Sequence, residues 1–574
     1  MGRVTISLFA CALWVQATSA AGIVIPAGTA AVVFAWAGGV TPTRARVNAR
    51  LDANTDQVRL WVSQNADFSA ARISGYQTAD LENHNGVVSF EMPGLEAGKS
   101  YQYAVEVDGQ LDLTHRGRFT TPIASVLSFT FALSSCAETG SSHPVFDLIQ
   151  DLDPLFFLHA GDLYYEDIGV NDPDLFRAAY DAVLDSPAQS ALYRSVPIVY
   201  TWDDHDYGPN NSDSTAPGRE AARQIYREYV PHYPLVFGEG DAPITQAFSV
   251  GRVRFLVPDS RSARDPYTIP DSPSKTMLGP VQKEWFKQEL LAANGIYPVI
   301  VWVNTMPWIG TTGDDGWYRY TFERAEIADF IALNGIKGVV MLSGDAHMLA
   351  IDDGTHSDYS AVGDAAIPVF HAAALDKSGS VKGGPYSHGA FPGRGQFGLM
   401  TVEDDGWQPI CVNWSGRNEF NEEVVGHQFC QALAPPFDTD GDGFFDVDDC
   451  AFADPDLWAP PVEVSGIRVH VDEFGDAQLN WHHQAAGAGP ATRYDIVTGF
   501  IDQLSQDDGF AGAVCLANGI ENPPYADESA DPPPGQTRYY LLRARNDCGS
   551  VGYGHVDADD PRFALDADWP CPFP

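Results

Sequence analysis

Five short polar clusters stand out in the middle of the chain, because each follows directly on an apolar run. They are Ser135-Cys136, His159-Ala160-Gly161-Asp162-Leu163-Tyr164-Tyr165, Asp203-Asp204-His205-Asp206, Asp259-Ser260-Arg261 and Gly344-Asp345-Ala346-His347. Thiolate, carboxylate, imidazole and phenolate side chains can together hold one soft-to-borderline metal beside one that prefers oxygen ligands. A carboxylate such as Asp162 could bridge both metals. Any one cluster alone is typical of a turn or a helix cap, but five in succession predict a two-metal site.

The apolar runs before these clusters alternate with helical stretches. We predict strands over 128–133, 155–158, 197–201, 253–257, 298–303 and 338–342. Helices are predicted over 144–152, 174–184, 219–229, 280–293 and 323–333. Such alternation favours an α/β layered domain, in which ligands bind beyond the carboxyl ends of the strands. The polar clusters are therefore expected to meet at one rim.

Both ends of the chain have a different, all-β pattern. Residues 22–122 show short apolar alternations broken by turns, which are typical of a β-sandwich of about 100 residues. The tail repeats one strand of that pattern: Gly98 is followed at +5, +7 and +9 by Tyr103, Val105 and Val107, and Gly535 is followed at the same offsets by Tyr540, Leu542 and Ala544. Both regions resemble fibronectin type III-like sandwiches.

Net charge and hydropathy exclude some classes of partner. The 574 residues include 34 Lys and Arg against 77 Asp and Glu, a net charge of −43, which disfavours binding to nucleic acid or to anionic membranes. No internal run approaches the ~18 to 20 apolar residues of a membrane helix. Residues 1–20 have one Arg, an apolar centre and a small-residue end, so they indicate a secretory signal, with a lipoprotein signal at Cys11 as the alternative.

The cysteine positions agree with export, because oxidising compartments permit disulfides. Cleavage of the signal would remove Cys11 and leave seven cysteines. Six lie in the last third of the chain: Cys411, Cys430, Cys450, Cys515, Cys548 and Cys571. These six allow fifteen pairings. Cys136 stands alone, as a ligand or as a small buried hydrophobe.

The polar clusters, taken together, resemble the motif set of the PhoD-like alkaline phosphatases, a branch of the metallophosphoesterases. The matching segments are Ser135-Cys136, Gly161-Asp162-Leu163-Tyr164-Tyr165, Trp202-Asp203-Asp204-His205-Asp206-Tyr207-Gly208-Pro209-Asn210, Asp259-Ser260-Arg261, Ser343-Gly344-Asp345-Ala346-His347, Phe370-His371-Ala372-Ala373-Ala374 and Gly395-Gln396-Phe397-Gly398-Leu399. The resemblance covers about residues 22–417. It does not extend to the tail after Asn418.

The resemblance implies roles for individual residues. Those that would hold a ferric ion (Fe3+) are Cys136, Asp162, Tyr165 and His347, with Asp162 bridging towards calcium (Ca2+). Asp204 and Asp345 would build the calcium side. His205 and Asn210 would face the substrate oxygens, with His205 as the proton donor to the leaving group. Arg261 would hold the phosphate, since its fork can bind two phosphate oxygens.

The tail contains a second calcium motif. Asp occupies positions 1, 3, 5, 9 and 12 of a loop whose sixth position is Gly443 and whose seventh, Phe444, would supply a backbone carbonyl. The aspartates are Asp438, Asp440, Asp442, Asp446 and Asp449. Because position 12 is Asp rather than Glu, the loop resembles a thrombospondin type 3 repeat more than an EF-hand. A solvated acidic turn is the alternative.

The sequence thus predicts an α/β layered metallophosphoesterase domain preceded and followed by all-β sandwich domains. The boundaries are a signal peptide over 1–20, an N-terminal sandwich over 22–122, a catalytic domain over 125–418, a calcium-binding linker over 436–460 and a C-terminal fibronectin III-like sandwich over 461–574.

The predicted activity is phosphoester hydrolysis. Two adjacent metals lower the pKa of water and clamp the attacking and leaving oxygens, so we expect an exported phosphatase with phosphodiesterase capability, attacking through a metal-bound hydroxide. Its location would be periplasmic or extracellular. The alternatives are a phospholipase D-like diesterase on the same scaffold and a non-catalytic, calcium-dependent surface adhesion protein. The natural ester and the oligomeric state are left open.

Overall fold

The computed structural model describes residues 30–311, 313–406, 409–431, 450–451, 454–472, 476–504, 510, 512–553 and 571. The chain divides into two compact units. The first comprises Met1–Ala293 and Val299–Gln431, and the second comprises Asn294–Pro298 and Ala432–Pro574. The expected signal peptide and the Asp438 to Asp449 loop lie outside the described residues and stay predictions.

The start of the first unit is rich in β-structure. Its elements are β1 (Val32–Gly38), β2 (Arg44–Leu51), β3 (Thr55–Ser63), β4 (Arg72–Ile73), β5 (Gln77–Ala79), α1 (Leu81–His84), β6 (Val87–Pro93), β7 (Ser100–Val107) and β8 (Gln110–Thr120). One sheet has the order β4-β3-β7-β8 with β5 beside β3, while β1, β2 and β6 belong to a larger sheet. Alternate residues of both sheets, such as Val47, Leu60 and Tyr103, are buried in one shared core.

Strands and helices alternate through most of the remainder of the first unit. The strands are β9 (Phe129–Ser134), β10 (Phe157–Ala160), β11 (Ile198–Thr201), β12 (Gln246–Val250), β13 (Val253–Val257), β14 (Val299–Asn304), β15 (Val339–Ser343), β16 (Met348–Asp352), β17 (Val369–Ala372), β18 (Ala390–Pro392), β19 (Phe397–Glu403), β20 (Ile410–Arg417) and β21 (Glu423–Gln431). The helices are α2 (Val145–Asp151), α3 (Pro173–Leu184), α4 (Pro187–Ser195), α5 (Asp204–Tyr207), α6 (Arg219–Tyr229), α7 (Pro280–Ala293) and α8 (Thr321–Leu333), with a 3-10 turn at Trp317–Arg319.

Two sheets form the centre of this unit. Their strand orders are β21-β20-β19-β9-β10-β11-β1-β2-β6 and β12-β13-β14-β15-β17-β16-β18. Within them, β9, β10 and β11 run parallel, as do β13, β14, β15 and β17. Phe131 and Leu133 from the first sheet share a buried core with Phe255 and Val301 from the second. The carboxyl ends of these parallel strands carry the polar clusters.

Helices pack on the faces of the two sheets that do not contribute to this core. Phe157 of β10 and Ala132 of β9 lie in a cluster with residues of α2, α3, α4 and α6. On the second sheet, the ring of Phe286 in α7 lies 4.6 Å from that of Trp302 in β14. The expectation of an α/β domain accompanied by β-rich regions is confirmed at this level.

The N-terminal strands continue the central sheet. Strand β1 pairs in parallel with β11 at Gly38 and Ile198. A Cβ atom at Gly38 would lie 2.6 Å from the Ile198 carbonyl oxygen and 2.2 Å from that of Pro231, so only glycine permits this approach. The expected boundary between 122 and 125 therefore lies inside one compact unit, and it stays a prediction.

The second unit contains two small sheets. Its elements are β22 (Arg468–Val471), β23 (Ala477–Asn480), α9 (Ala485–Ala488), β24 (Arg493–Phe500), α10 (Ile501–Leu504), β25 (Val514–Ile520), β26 (Tyr525–Asp527), β27 (Arg538–Asn546) and β28 (Gly549–Ser550). The sheet orders are β22-β23-β26 and β25-β24-β27-β28. Trp481, Tyr494 and Leu542 pack in a common core. The unit is β-rich as expected, and its fibronectin-like identity stays a prediction.

Three disulfides select one pairing from the fifteen. They join Cys411 to Cys430, Cys450 to Cys548 and Cys515 to Cys571. Cys136 is free and buried, which leaves its thiol available as a ligand. Among the described residues, no helix is both long and apolar enough to cross a membrane.

Candidate metal centre

The strand ends converge on one cluster of ligands. Cys136 follows β9, Asp162 follows β10 and Asp345 follows β15, and all three have a left-handed backbone, with φ of 62°, 56° and 56°. This conformation costs an L-residue about 1–2 kcal/mol. Such strain concentrates at functional sites, where the fold holds a side chain in a required direction.

Three groups of ligand atoms overlap in this cluster. Within each group the candidate atoms lie within 4.8 Å of one another. The groups are Cys136, Asp162 and His347; Asp162, Asp204 and His205; and Asp203, Asp204 and Asp345. Asp162 belongs to the first two groups and Asp204 to the last two, so neighbouring ions would share carboxylates.

The first group is the mixed sulfur, nitrogen and oxygen site. The Cys136 Sγ lies 3.6 Å from Asp162 Oδ2. The Tyr165 hydroxyl lies 2.7 Å from the same oxygen and 3.2 Å from His347 Nε2. His347 Nδ1 lies 2.7 Å from the Ser378 carbonyl oxygen, to which it can only donate. Neutral His347 therefore has its free lone pair on Nε2, as a metal ligand requires.

Burial disfavours the ionised forms of the acids in this cluster. It raises the pKa of the Cys136 thiol, and the Asp162 carboxylate raises it further. Burial, followed by the charge of Asp204, likewise raises the pKa of Asp162, and burial raises that of Asp345 to about 6. A bound cation reverses this effect because it stabilises thiolate and carboxylate.

Three carboxylate oxygens that accept no hydrogen bond test whether the described residues fit a metal. Asp203 Oδ2, Asp204 Oδ1 and Asp345 Oδ2 are buried and have no hydrogen-bond partner in the described part of the chain. Leaving a buried polar atom unsatisfied costs about 1–3 kcal/mol, and more for a charged group. These three residues form one ligand group, and a cation with oxygen ligands, such as Ca2+, would satisfy all three oxygens.

Arg261 lies inside the cluster with its guanidinium paired to carboxylates. Its side chain is 0% exposed, its Nε lies 2.6 Å from Asp203 Oδ1, and its Nη2 lies 2.9 Å from Asp315 Oδ2. Burial is the largest single influence on Asp204 and opposes its ionisation, but the charges of Arg261 and His205 and the Asn211 N–H together lower the pKa of that carboxyl. In this structure the guanidinium therefore contacts carboxylates, and the expected contact with phosphate stays a prediction.

His205 and Asn210 lie at the edge of the cluster. The half-buried His205 ring packs against Tyr165, with centroids 4.1 Å apart, and its Nδ1 lies 2.7 Å from Asp167 Oδ1. His205 is also a member of the second ligand group, a role that the sequence did not assign. Asn210 is exposed and lines a pocket of about 470 Å³ together with Asp315.

Two further aspartates shape the site without having been predicted as site residues. Asp206 accepts hydrogen bonds from the Leu163 and Asp203 backbone N–H groups at 3.0 and 2.6 Å, so it ties the turn after β10 to that after β11. Its three-residue distance from Asp203 is the capping-box spacing, which could have revealed it. Asp315, the partner of Arg261, lies in a Gly-Asp-Asp-Gly loop that no sequence signal distinguishes from a surface turn.

Comparisons with known proteins agree with this geometry. The model of the PhoD-like phosphatase family matches residues 131–383. Alkaline phosphatase D of Bacillus subtilis (strain 168) is 28% identical over 315 residues, covering 45% of this chain and 53% of the relative. The chain thus spans about half the length of that curated relative.

A solved structure of PhoD shows the same fold at low sequence identity. Its TM-score is 0.58 at 19% identity, and the match covers 70% of this chain and 90% of that one. All five polar clusters lie within the residues matched by the family model. Residues 131–383 are thus similar in sequence to the PhoD-like phosphatase family, and the chain is similar in fold to PhoD.

Proposed function

We propose that the chain is an exported, metal-dependent phosphoester hydrolase, an alkaline phosphatase with phosphodiesterase capability. The observation that carries this proposal is the overlap of three buried ligand groups at the strand ends. Those groups lie in the region that matches PhoD-like phosphatases.

The two halves of the cluster suit different ions. We assign Fe3+ to the mixed half: Cys136, Asp162, Tyr165 and His347. We assign Ca2+ to the oxygen-rich half, with Asp204 and Asp345 as ligands; Asp204 also shares a ligand group with Asp162, the proposed bridge. Bound metals would supply Lewis-acid chemistry, which lowers the pKa of water to about 7 and neutralises the phosphoryl oxygens.

Side chains at the edge of the cluster handle the substrate in this proposal. His205 donates a proton to the leaving-group oxygen, and the Asp167 carboxylate, 2.7 Å from its Nδ1, orients the ring. The exposed Asn210 amide donates to a phosphoryl oxygen at the mouth of the pocket. Arg261 holds the Asp203 carboxylate in place through their ion pair.

The regions around the catalytic domain complete the proposal. Three disulfides are typical of a protein in an oxidising compartment, which supports export. We retain the signal over 1–20, the calcium-binding linker over 436–460 and the C-terminal fibronectin III-like domain over 461–574 as proposals. The stapled second unit would then be an accessory module.

Hydrolysis by the purified full chain tests the proposed function. The assay compares p-nitrophenyl phosphate, bis(p-nitrophenyl) phosphate and a phospholipid. Asp162→Asn should lower kcat/KM by more than about 100-fold and reduce metal content, because the shared carboxylate is lost. Asp147→Asn, at an exposed position of α2, is the control. Release of lipid head groups alone would favour the phospholipase D-like alternative, and metal binding without any hydrolysis would favour the adhesion protein.

A further inference from the structure

Lys382 is the one cationic side chain among the described residues that line the pocket beside the metal cluster. The lining residues are Asn210, Asn211, Thr311, Gly313, Asp314, Asp315, Tyr318, Val381, Lys382, Gly383 and Gly384. One hydrogen bond connects each side of this pocket to the cluster: the Asn211 backbone N–H donates to Asp204 Oδ2 at 2.6 Å, and Lys382 Nζ donates to Asp345 Oδ1 at 2.5 Å. A ligand in the pocket would therefore lie next to the candidate metals.

Lys382 is placed to contact such a ligand, whereas Arg261 is not. The Lys382 side chain is 35% exposed and that of Arg261 is 0% exposed. An ammonium group carries three N–H donors, and Asp345 takes one of them. The other Asp345 oxygen, Oδ2, belongs to the buried unpaired set, so one carboxylate can serve a metal with Oδ2 and Lys382 with Oδ1.

The loop that carries Lys382 is tied to the core beneath it. The Tyr386 hydroxyl donates to the Lys382 carbonyl oxygen at 2.9 Å, and it lies 3.2 Å from Nε2 of the buried His371. The ammonium therefore projects from an anchored backbone, which reduces the entropy lost when it binds an anion.

We propose that Lys382 binds the phosphate group of the substrate and makes the site prefer dianionic phosphate monoesters to monoanionic diesters. This inference rests on the proposed function. A monoester carries a second negative charge above about pH 6, whereas a diester carries one. A cation beside the phosphate contributes more to binding of the doubly charged group, because Coulomb energy scales with charge.

The test compares two substrates across three variants of the full chain loaded with metal. Lys382→Met removes the charge at similar length, and Lys382→Arg keeps it. Lys283→Met is the control: the Lys283 ammonium of α7 pairs with Glu326 of α8 at 2.7 Å, and Lys283 does not line the pocket. The readouts are kcat/KM for p-nitrophenyl phosphate and for bis(p-nitrophenyl) phosphate, metal content, and calorimetric binding of inorganic phosphate.

We expect Lys382→Met to lower kcat/KM for the monoester by about 10- to 100-fold. A loss of this size corresponds to the free energy of one charge-assisted hydrogen bond. The diester should lose much less, both metals should stay bound, and phosphate affinity should fall in parallel. Lys382→Arg should restore most of the monoester preference, and Lys283→Met should leave the ratio of the two substrates unchanged.

Two results would overturn the inference. An equal loss for both substrates together with loss of metal would show that Lys382 only positions Asp345, and an unchanged ratio would show that it does not select the substrate.

If the wild-type chain hydrolysed neither ester, the proposed function would fail, and calorimetry would still decide the role of Lys382. Weaker phosphate binding in Lys382→Met would then support that role, and equal or absent binding would refute it.

Discussion

Arg261 illustrates at the residue scale how burial decides what a charged side chain does. A motif match assigns it to phosphate, but the fold encloses its guanidinium between the Asp203 and Asp315 carboxylates. A buried ion pair is costly to break, because the partner left behind keeps its charge without compensation. We therefore expect Arg261 to act mainly on the position and charge of the carboxylates in the metal-binding groups.

Replacing Arg261 by Lys should lower thermal stability and calcium affinity together. The ammonium keeps the charge but loses the bidentate geometry that pairs with two carboxylates. We expect destabilisation of about 1–3 kcal/mol and partial recovery of kcat when calcium is raised. Thermal unfolding and calcium titration measure these effects. A reduced kcat/KM with unchanged stability and metal affinity would restore the phosphate-binding role instead.

The visible spectrum tests the ferric assignment at Tyr165. A phenolate or thiolate bound to Fe3+ donates charge to the ion on absorbing light, so the iron-loaded protein should be coloured. Tyr165→Phe should bleach or shift the band. Tyr164→Phe is the control, because that buried hydroxyl donates instead to the Asp206 carbonyl oxygen at 2.8 Å. A colourless, fully active zinc protein would refute iron at this position.

His159 gives the fold a predictable sensitivity to acid. Its ring is fully buried, both nitrogens have no hydrogen-bond partner among the described residues, and burial lowers its pKa from 6.5 to about 3. The unfolded chain takes up the proton first, so this contribution to stability is complete above pH 6.5 and is lost as the pH falls towards 3. At pH 5 the loss is about 2 kcal/mol.

His159→Phe should therefore flatten the decline in stability on the acid side. The ring already packs edge-on against Phe157 and Tyr200, so a phenyl group fits the site. As the pH falls from 8 to 5, the variant should lose less unfolding free energy than wild type, measured by chemical denaturation. His232 and His371, with pKa values lowered to about 4, keep part of the slope in both proteins. An identical pH profile would contradict this role of His159.

At the scale of elements, the site is built by turns that follow parallel strands. Gly161, between β10 and Asp162, has φ of +97°, and a Cβ atom there would lie 2.4 Å from the Asp203 Cβ. The turn after β10 therefore packs directly against Asp203 in the turn after β11, with room for only the Gly161 hydrogen atom between them. Their close approach brings Asp162 and Asp204 into one ligand group.

Gly161→Ala should separate these two turns. The added methyl group clashes with Asp203 and strains the backbone, so we expect destabilisation of about 1–3 kcal/mol and loss of metal at the shared carboxylates. Gly169→Ala is the control, because its Cβ would meet only Pro209 Cγ at an ordinary 3.4 Å. Metal content and thermal unfolding give the outcome, and full metal occupancy in Gly161→Ala would argue against the need for this contact.

Local patterns could predict the elements that carry the ligands, but not all of the contacts between them. The helices expected over 219–229 and 280–293 match α6 and α7 residue for residue, and each predicted central strand lies within two residues of an observed one. Hydrophobic period and turn residues determine these elements locally. The Arg261 pairing and the Lys382 position depend on loops that are distant in sequence, whose approach no local pattern encodes.

At the scale of the whole molecule, the net charge and the disulfides agree with the proposed chemistry and the proposed export. A net charge of −43 disfavours polyanionic partners, and the acidic cluster adds buried carboxylates whose charge a bound cation would compensate. Three disulfides strengthen both units, and Cys136 is outside that framework.

Stepwise metal reconstitution, with phosphate release measured at each step, tests the central claim most directly. The full chain is stripped of metal and titrated with Fe3+ and Ca2+, and hydrolysis of p-nitrophenyl phosphate is followed against bound metal. We predict that activity is absent without metal and appears only when both ions occupy the strand-end cluster, and that Asp162→Asn abolishes the response. Full hydrolysis by the metal-free chain, or an unchanged response in Asp162→Asn, would contradict the account.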